Sequence, residues 1–471
     1  MSVVNVLFLV ICMTIDFNEQ EIIIARVKAL LAGEEKFALV ETYGCQQNVN
    51  DSQKYEGILM EMGYTLTTDR EKADFIMFNT CAVRENAEKK VFGNIGALKH
   101  LKAKKPDMVI AIAGCMSQQE DVSKRLKSKY PHVDMILGTR AMATFPALLE
   151  KVLTEEKCRV IERQEIDYIC ENVPTNYDGG CKAFVSIMYG CNNFCTYCIV
   201  PYVRGRERSR SMDAVLSECR LLAEKGVKEI TLLGQNVNSY GKDMGMTEGF
   251  ATLLSEVDKI EGIERIRFMS SHPKDISHKV LEVMSESRHI CHQLHLPLQS
   301  GSDKLLREMN RVYNRERYLS IVNKAKALMP DLAITTDIIV GFPTETEADF
   351  EDTISMLKEV KYDSIFSFIY SRREGTPAAK MDFVSTEEEI KARFDRLLEV
   401  QNAISYELNK KCEGEIQEVL VEGISKEDGV LTSRNYANKI VNFPGDESLV
   451  GKIVKVKITR AQTWILLGEL L

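Results

Sequence analysis

What this sequence lacks narrows it first. No stretch is both long and apolar enough to cross a bilayer, which takes roughly 20 apolar residues as a helix; the apolar run from Val3 to Met13 is too short. That run also lacks a basic leader and an obvious small-residue cleavage site, so it does not read as a secretory signal. An excess of positive charge is missing as well. Lys and Arg number 61 against 69 Asp and Glu, a formal net charge of −8. This argues against a general nucleic-acid coat, because phosphate binding needs a local Lys/Arg excess, but it leaves room for a local basic groove on an acidic enzyme. An even number of cysteines is absent: there are 13. Without a secretory signal, such thiols are expected in a reducing cytosol, where metal binding or redox chemistry outranks disulfides. The expectation is a cytoplasmic protein with no membrane segment.

With 471 residues the chain exceeds one ordinary core, and its 45% hydrophobic and 28% charged residues fit a globular protein of several domains. Residues 1–35 read as an N-terminal extension outside the folded part. Across 36–152, short apolar runs at Phe37–Thr42, Phe75–Asn79 and Val109–Ala113 alternate with amphipathic stretches such as Ser52–Met62 and Glu85–Leu101. That is the βαβ rhythm of an α/β domain with a parallel sheet. Residues 153–176 show no period and read as a linker. From 177 to 408 a second series follows, with strands expected at Ala183–Met188, Glu229–Leu233, Arg265–Met269, Gln293–Pro297, Ala333–Val340 and Ile365–Tyr370. Six βα units predict a partial (β/α)6 barrel, whose chemistry belongs at the carboxyl ends of its strands. Thr346, with Asp349 three residues on, predicts a helix start. A long charged helix over about Thr386–Lys411 then leads out. Residues 409–471 turn to short β-like runs with a strong turn at Pro444-Gly445-Asp446, which predicts a small five-stranded β-barrel of the OB type.

Two cysteine patterns carry the chemistry. In the first domain each predicted strand runs into a cysteine: Cys45, Cys81 and Cys115. The carboxyl ends of parallel strands share one edge, so these thiols are expected to converge there; three unrelated core thiols are the plainer alternative. In the second domain Cys191, Cys195 and Cys198 follow the first barrel strand in one short loop. Three thiolates can hold three irons of a [4Fe–4S] cluster, leaving one iron open to a substrate or cofactor. A structural zinc site would need a fourth ligand, and no other Cys or His lies in the loop, Cys181 being ten residues upstream. A thioredoxin-like pair of Cys195 and Cys198 is the other alternative. Cys12, Cys158, Cys170, Cys181, Cys219, Cys291 and Cys412 fit no motif.

Cys191-x3-Cys195-x2-Cys198, with Tyr197 before the last cysteine, resembles the radical-SAM signature. The resemblance extends over nearly the whole chain from Lys36. Thr42–Asn48, Asn79–Arg84 and Ala113–Met116 look like the three cysteine motifs of the methylthiotransferases, and Gly234–Tyr240, His295–Gly301 and Asp337–Pro343 match downstream landmarks. The C-terminal piece looks like that family's TRAM domain, an RNA-binding barrel. The resemblance implies S-adenosylmethionine on the open iron of the first cluster, cleaved to a 5′-deoxyadenosyl radical able to activate a C–H bond. It implies a second, auxiliary [4Fe–4S] cluster on Cys45, Cys81 and Cys115, where a methyl group is transferred to sulfur. Gln235, Gln299 and Ser300, at strand ends, and Tyr197 are the expected cofactor contacts.

The run Tyr197–Arg210 most resembles the MiaB branch, which methylthiolates C2 of N6-isopentenyl(dimethylallyl)adenosine at tRNA position 37, beside the anticodon. Implied partners are a tRNA anticodon stem-loop and an electron donor of the flavodoxin or ferredoxin kind, with the chain as a monomer; the sulfur donor stays open. Arg204, Arg206, Arg208 and Arg210 alternate and, if extended, would line one face of a strand suited to phosphate contacts; a plain solvated strand is the alternative. Asn438 and Lys439 match the TRAM motif, although Ser433–Ala437 before them departs from the branch's Arg-Thr-rich run. His272 and His295 are expected to be structural or substrate-orienting, since hydrogen abstraction by a radical needs no general base. The rival readings are a sister enzyme acting on threonylcarbamoyladenosine in tRNA, another modifying a ribosomal-protein aspartate, and a non-catalytic iron–sulfur or zinc RNA-binding protein.

Overall fold

The computed structural model describes residues 13–82, 85–163, 168–177 and 179–471. Most of the run Val3–Met13 lies outside them, as do Val83 and Arg84 of the second cysteine motif. The fold is α/β, and the chain forms two units. The first holds the chain up to Asn176 together with Val200–Arg210; the second holds Tyr177–Ile199 and Ser211–Leu471.

The first unit is built on a six-stranded, all-parallel sheet in the order Tyr64–Leu66, Lys36–Tyr43, Phe75–Thr80, Val109–Gly114, Met135–Leu137, Val160–Glu162. Phe75–Thr80 and Val109–Gly114 are buried along their whole length, which is why they read as unbroken apolar runs rather than alternating ones. Their side chains still divide by the period of two. Phe75, Met77, Ala111 and Ala113 serve one core; Ile76, Phe78, Ile110 and Ile112 serve the other.

Two boundary expectations fail here. Residues from Met13 onward are not an extension. Met13–Asp16 pairs in parallel with Tyr168–Glu171, and Glu21–Leu30 follows as a helix that buries Val27, with Phe17 buried just before it. Nor is 153–176 a linker: Val160–Glu162 is the sixth strand of the sheet, and Tyr168–Glu171 is buried at every position. Strands of three or four residues are too short to show a period, and in Tyr168–Glu171 burial at every position removes the alternation that would mark it.

The second unit carries the expected six parallel strands. Lys182–Ser186, Glu229–Leu233 and Arg265–Phe268 form one sheet; Gln293–His295, Ala333–Val340 and Ser364–Ile369 form another. A bridge between Ile266 and Ile290 links them, and Lys182–Ser186 and Ser364–Ile369 stand at the two outer edges, so the barrel is open. Thr346 and Asp349 form a reciprocal capping box at the start of Glu347–Val360, as their spacing predicts. The helix Glu387–Lys410 buries Ile390, Leu397, Gln401, Ile404 and Ser405, one stripe at helical spacing. The C-terminal strands Ile416–Ile424, Val430–Asn435, Ile440–Pro444, Ile453–Ala461 and Ile465–Leu470 close a five-stranded barrel. Among the described residues no helix is long and apolar enough to cross a membrane.

Candidate functional site

In the first unit the sheet register sets the site. Tyr43 pairs with Thr80, and Thr80 with Gly114, so three adjacent strands end level. Cys81 and Cys115 follow two of these ends directly, and Cys45 follows the third by two residues. Gly114 adopts φ +98°, and a Cβ there would stand 2.4 Å from the Thr80 carbonyl oxygen, so only glycine lets the chain turn into Cys115. Asn48 and Asn79 tie the strand ends together. Asn48 donates to Asn79 Oδ1 at 3.1 Å, Asn79 donates to the Asn48 carbonyl at 2.9 Å, and the Cys45 amide donates to Asn48 Oδ1 at 3.3 Å.

The three thiols differ electrically. A hydrogen bond from Cys81 outweighs burial and brings the Cys45 thiol down to about 5, with the Arg204 charge helping. Burial pushes Cys115 up against the pull of the same arginine. Arg204 Nε donates to Cys115 Sγ at 3.2 Å, and its Nη2 pairs with Asp51 at 2.9 Å. Asp51 also accepts from Gln47 Nε2 at 3.0 Å.

In the second unit Cys191, Cys195 and Cys198 lie on the loop after the first barrel strand, with Cys191 and Cys195 buried. Residues after neighbouring strands and helices hold the loop. Gln235 accepts the Gly190 amide at 2.5 Å, Lys274 donates to Asn193, and Asn310 donates to the carbonyls of Asn193 and Phe194. Thr196 donates its amide to Met309 and its hydroxyl to the Glu308 carbonyl, and its own carbonyl accepts from Ala378. Phe194 sits at φ +46°, a strained backbone for a bulky residue. Arg311, buried beneath the loop, donates to Cys195 Sγ at 3.5 Å, to the Pro297 carbonyl at 2.9 Å and to the Tyr313 hydroxyl at 2.9 Å. Neither Arg311 nor Lys274 stands out in the sequence; a basic residue at the end of a neighbouring βα unit is the signal that could have found them.

Among the described residues no three His, Cys, Asp or Glu side chains crowd closely enough to share one metal ion. The donor chemistry fits a cluster in both units: three thiols on one edge or one loop, with a buried guanidinium against one of them.

The matches to known families follow the same divisions. Residues 37–138 match a model described as "Uncharacterized protein family UPF0004", 185–357 the Radical SAM superfamily, and 410–471 the TRAM domain. A tRNA-2-methylthio-N(6)-dimethylallyladenosine synthase of Acetivibrio thermocellus is 53% identical over 445 residues, covering 94% of this chain and 92% of its own. Synthases of the same name from Clostridium botulinum and a Thermoanaerobacter species are 53% and 48% identical, over 91% and 97% of this chain and 96% and 97% of theirs. The chain belongs to this family of radical-SAM methylthiotransferases. Solved radical-SAM structures share its fold alone. The methyltransferase TsrM of Kitasatospora setae has a TM-score of 0.52 at 11% identity, covering 85% of this chain and 81% of its own. OxsB has 0.52 at 12%, covering 79% and 56%.

Membership in the radical-SAM methylthiotransferase family brings with it a [4Fe–4S] cluster and S-adenosylmethionine. Of the expected cofactor contacts, Gln235 fixes the loop, and Tyr197 packs partly buried against the cluster of Phe342 and Tyr370. Gln299 sits at φ +69°, its amide bonded to the Asp337 carbonyl. Ser300 is fully buried, with its hydroxyl facing Thr353 and accepting the Ser302 amide. His272 is held neutral: burial, then the Arg311 charge, takes it to about 2. His295 bonds Thr335 through Nδ1 at 3.0 Å and faces Asp337 at 3.5 Å.

The arginine run departs from expectation. Val200–Arg204 is a one-turn helix rather than a strand, and Gly205 at φ +76° turns the chain out of it. Arg204, Arg208 and Arg210 are buried, and only Arg206 is exposed. Arg210 pairs with the equally buried Glu171 at 2.7 Å, and Arg208 donates to the Arg204 carbonyl. Three of the four thus serve the interior, Arg204 and Arg210 because acids distant in sequence are waiting for them.

The TRAM motif likewise faces inward. Lys439 pairs with Asp363 at 2.8 Å and donates to Asn409, and Asn438, at φ +65°, makes the turn that returns the strand. Beside them Arg265 donates to the carbonyls of Arg434 and Glu418, Arg267 to those of Asn435 and Tyr436, and the Tyr436 hydroxyl to those of Arg288 and Ile290. This face fastens the small barrel to the partial barrel instead of presenting a basic surface.

Proposed function

We propose that this chain attaches a methylthio group to C2 of N6-dimethylallyladenosine at position 37 of tRNA, beside the anticodon. The observation that carries the reading is the pair of three-cysteine sets, each at the carboxyl ends of parallel strands in its own α/β fold, in a chain that shares 53% identity with synthases of that name. When bound, two [4Fe–4S] clusters and S-adenosylmethionine would supply the radical and the sulfur. Cys191, Cys195 and Cys198 would hold one cluster; Cys45, Cys81 and Cys115 would hold the other. Each triplet leaves one iron without a protein ligand, which is where a small molecule can be admitted.

The remaining residues prepare these sites. Gln235, Lys274 and Asn310 brace the Cys191–Cys198 loop, which lowers the cost of ordering it when the cluster is taken up. The neutral His272 beside the loop adds no imidazolium charge near the radical chemistry. Arg206, the exposed arginine of the run, is the one of the four placed at the surface, where a phosphate contact can be made.

Replacing any one of the six cysteines by alanine abolishes product. A Cys195→Ala variant that still made methylthio-adenosine would overturn the radical assignment. The decisive measurement is nucleoside mass spectrometry of tRNA from a strain lacking this protein. Loss of the methylthio mark with accumulation of dimethylallyladenosine supports the reading. Loss of a methylthio group from a threonylcarbamoyl nucleoside instead moves the substrate to the sister enzyme's, and no change in any nucleoside removes the assignment.

A further inference from the structure

Arg204 is a charged side chain only 6% exposed, lodged between a thiol and a carboxylate. Its two contacts come from different nitrogens of one fork, Nε on Cys115 Sγ and Nη2 on Asp51. The planar fork presents both donors in a fixed geometry, where an ammonium is a point charge on a flexible stem. The fork is held from behind. Val203, one residue before it, accepts the Thr139 hydroxyl at 2.6 Å, the Gly205 amide closes on the Pro201 carbonyl, and Arg208 caps the Arg204 carbonyl at 3.2 Å. Asp51 is fixed on its other side by Gln47. Thiol, guanidinium, carboxylate and amide form one chain of contacts inside the first unit.

Three thiolates around an iron–sulfur core bring net negative charge into a buried place, and a nearby cation offsets it. We propose that Arg204 is the charge-compensating and positioning residue of the auxiliary cluster, with Asp51 setting how much of its charge reaches the thiolates; this rests on Cys45, Cys81 and Cys115 being that cluster's ligands. Arg311 also donates to a thiol, Cys195, in the second unit, so each cysteine set has one buried guanidinium against it.

The charges give opposite signs. A cation beside the cluster favours the reduced, more negative state, and an anion disfavours it. In the full chain with Cys191, Cys195 and Cys198 replaced by alanine, so that only the auxiliary cluster can form, iron and sulfide are reconstituted without oxygen. The midpoint potential is then read by electron paramagnetic resonance. Arg204→Gln shifts it to more negative values, Asp51→Asn shifts it to more positive ones, and Arg204→Lys falls between Arg204→Gln and the parent. A merely structural ion pair would move both in the same direction or neither, and either result overturns the proposal. Should Arg204→Gln take up no iron, Arg204→Lys and Asp51→Asn still report: iron restored by lysine together with a positive shift in Asp51→Asn supports it, and no shift overturns it. If the parent with Cys45, Cys81 and Cys115 intact binds no iron and sulfide, the ligand assignment itself fails, a different outcome from a loaded cluster that ignores Arg204.

Discussion

Glu345 shows how a single residue can make stability depend on pH. Its carboxylate is 1% exposed, accepts the Gly341 amide at 2.6 Å and stands 3.8 Å from Arg393. Burial raises its pKa from the ordinary 4.5 to about 7, only partly opposed by that amide and by Arg393. The arginine is a weak counter-charge because it already pairs with Glu347 at 2.8 Å. Between these values the folded chain holds a proton that the unfolded chain has released, so Glu345 makes stability fall as pH rises from about 4.5 to about 7, by on the order of 3 kcal/mol. Glu345→Gln keeps the acceptor for Gly341 and carries no charge. It should match the parent near pH 4.5 and exceed it in denaturation free energy above pH 7. A difference between the two proteins that stays constant from pH 5 to pH 8 would show that burial does not govern this group. Residues of this kind are hard to find in a sequence, since Glu345 lies in a polar stretch, Thr344–Glu347. The six cysteines were legible because motif and strand end coincide. The arginines were not, because the partners that bury Arg204 and Arg210 lie 153 and 39 positions away.

Among the elements, long buried strands were legible and short ones were not. Glu229–Leu233 and Ala333–Val340 fall where their apolar runs predict, whereas Val160–Glu162 is only three residues long and Tyr168–Glu171 pairs with a strand far along the chain. The turn between Val430–Asn435 and Ile440–Pro444 is the instructive element. Its sequence suggests an RNA contact, but its carbonyls are taken by Arg265 and Arg267 of the partial-barrel strand Arg265–Phe268. Arg267 also pairs with Glu229 on the adjacent strand at 3.0 Å, both side chains 4% exposed. Removing one partner of such a pair leaves a buried charge without compensation, which typically costs about 3–5 kcal/mol. Arg267→Ala should therefore lower the melting temperature of the whole second unit. Tyr436→Phe, which loses only hydroxyl bonds to the Arg288 and Ile290 carbonyls, should cost about 1 kcal/mol. Equal melting of Arg267→Ala and the parent would mean that the two barrels do not depend on this clamp. Lys439→Ala belongs to the same test. Because Lys439 is spent on Asp363, its loss should leave the salt dependence of tRNA binding unchanged, and a shallower salt slope would restore its expected role as a phosphate contact.

At the scale of the molecule the units are not consecutive stretches of chain. The first unit runs to Asn176, resumes at Val200 and ends at Arg210, so the chain enters the second unit twice. The eleven residues that return carry Arg204 and Arg210, whose acids, Asp51 and Glu171, belong to the earlier part. Glu171 ends a strand paired with Met13–Asp16, and Asp51 lies on the helix that follows Cys45. The late segment therefore joins both ends of the early one, and the first cysteine set depends on residues that follow the second set in sequence. A fragment ending at Asn176 would keep Cys45, Cys81 and Cys115 and the whole six-stranded sheet, yet it would lack the guanidinium at Cys115. It should melt earlier, and take up less iron and sulfide on reconstitution, than the same fragment carrying residues 200–210 on a flexible tether. A tethered segment with Arg204→Gln and Arg210→Gln should fail to restore either property. Equal melting and iron content with and without the segment would show that the early part is self-sufficient, and that the return of the chain contributes neither stability nor charge to its thiols.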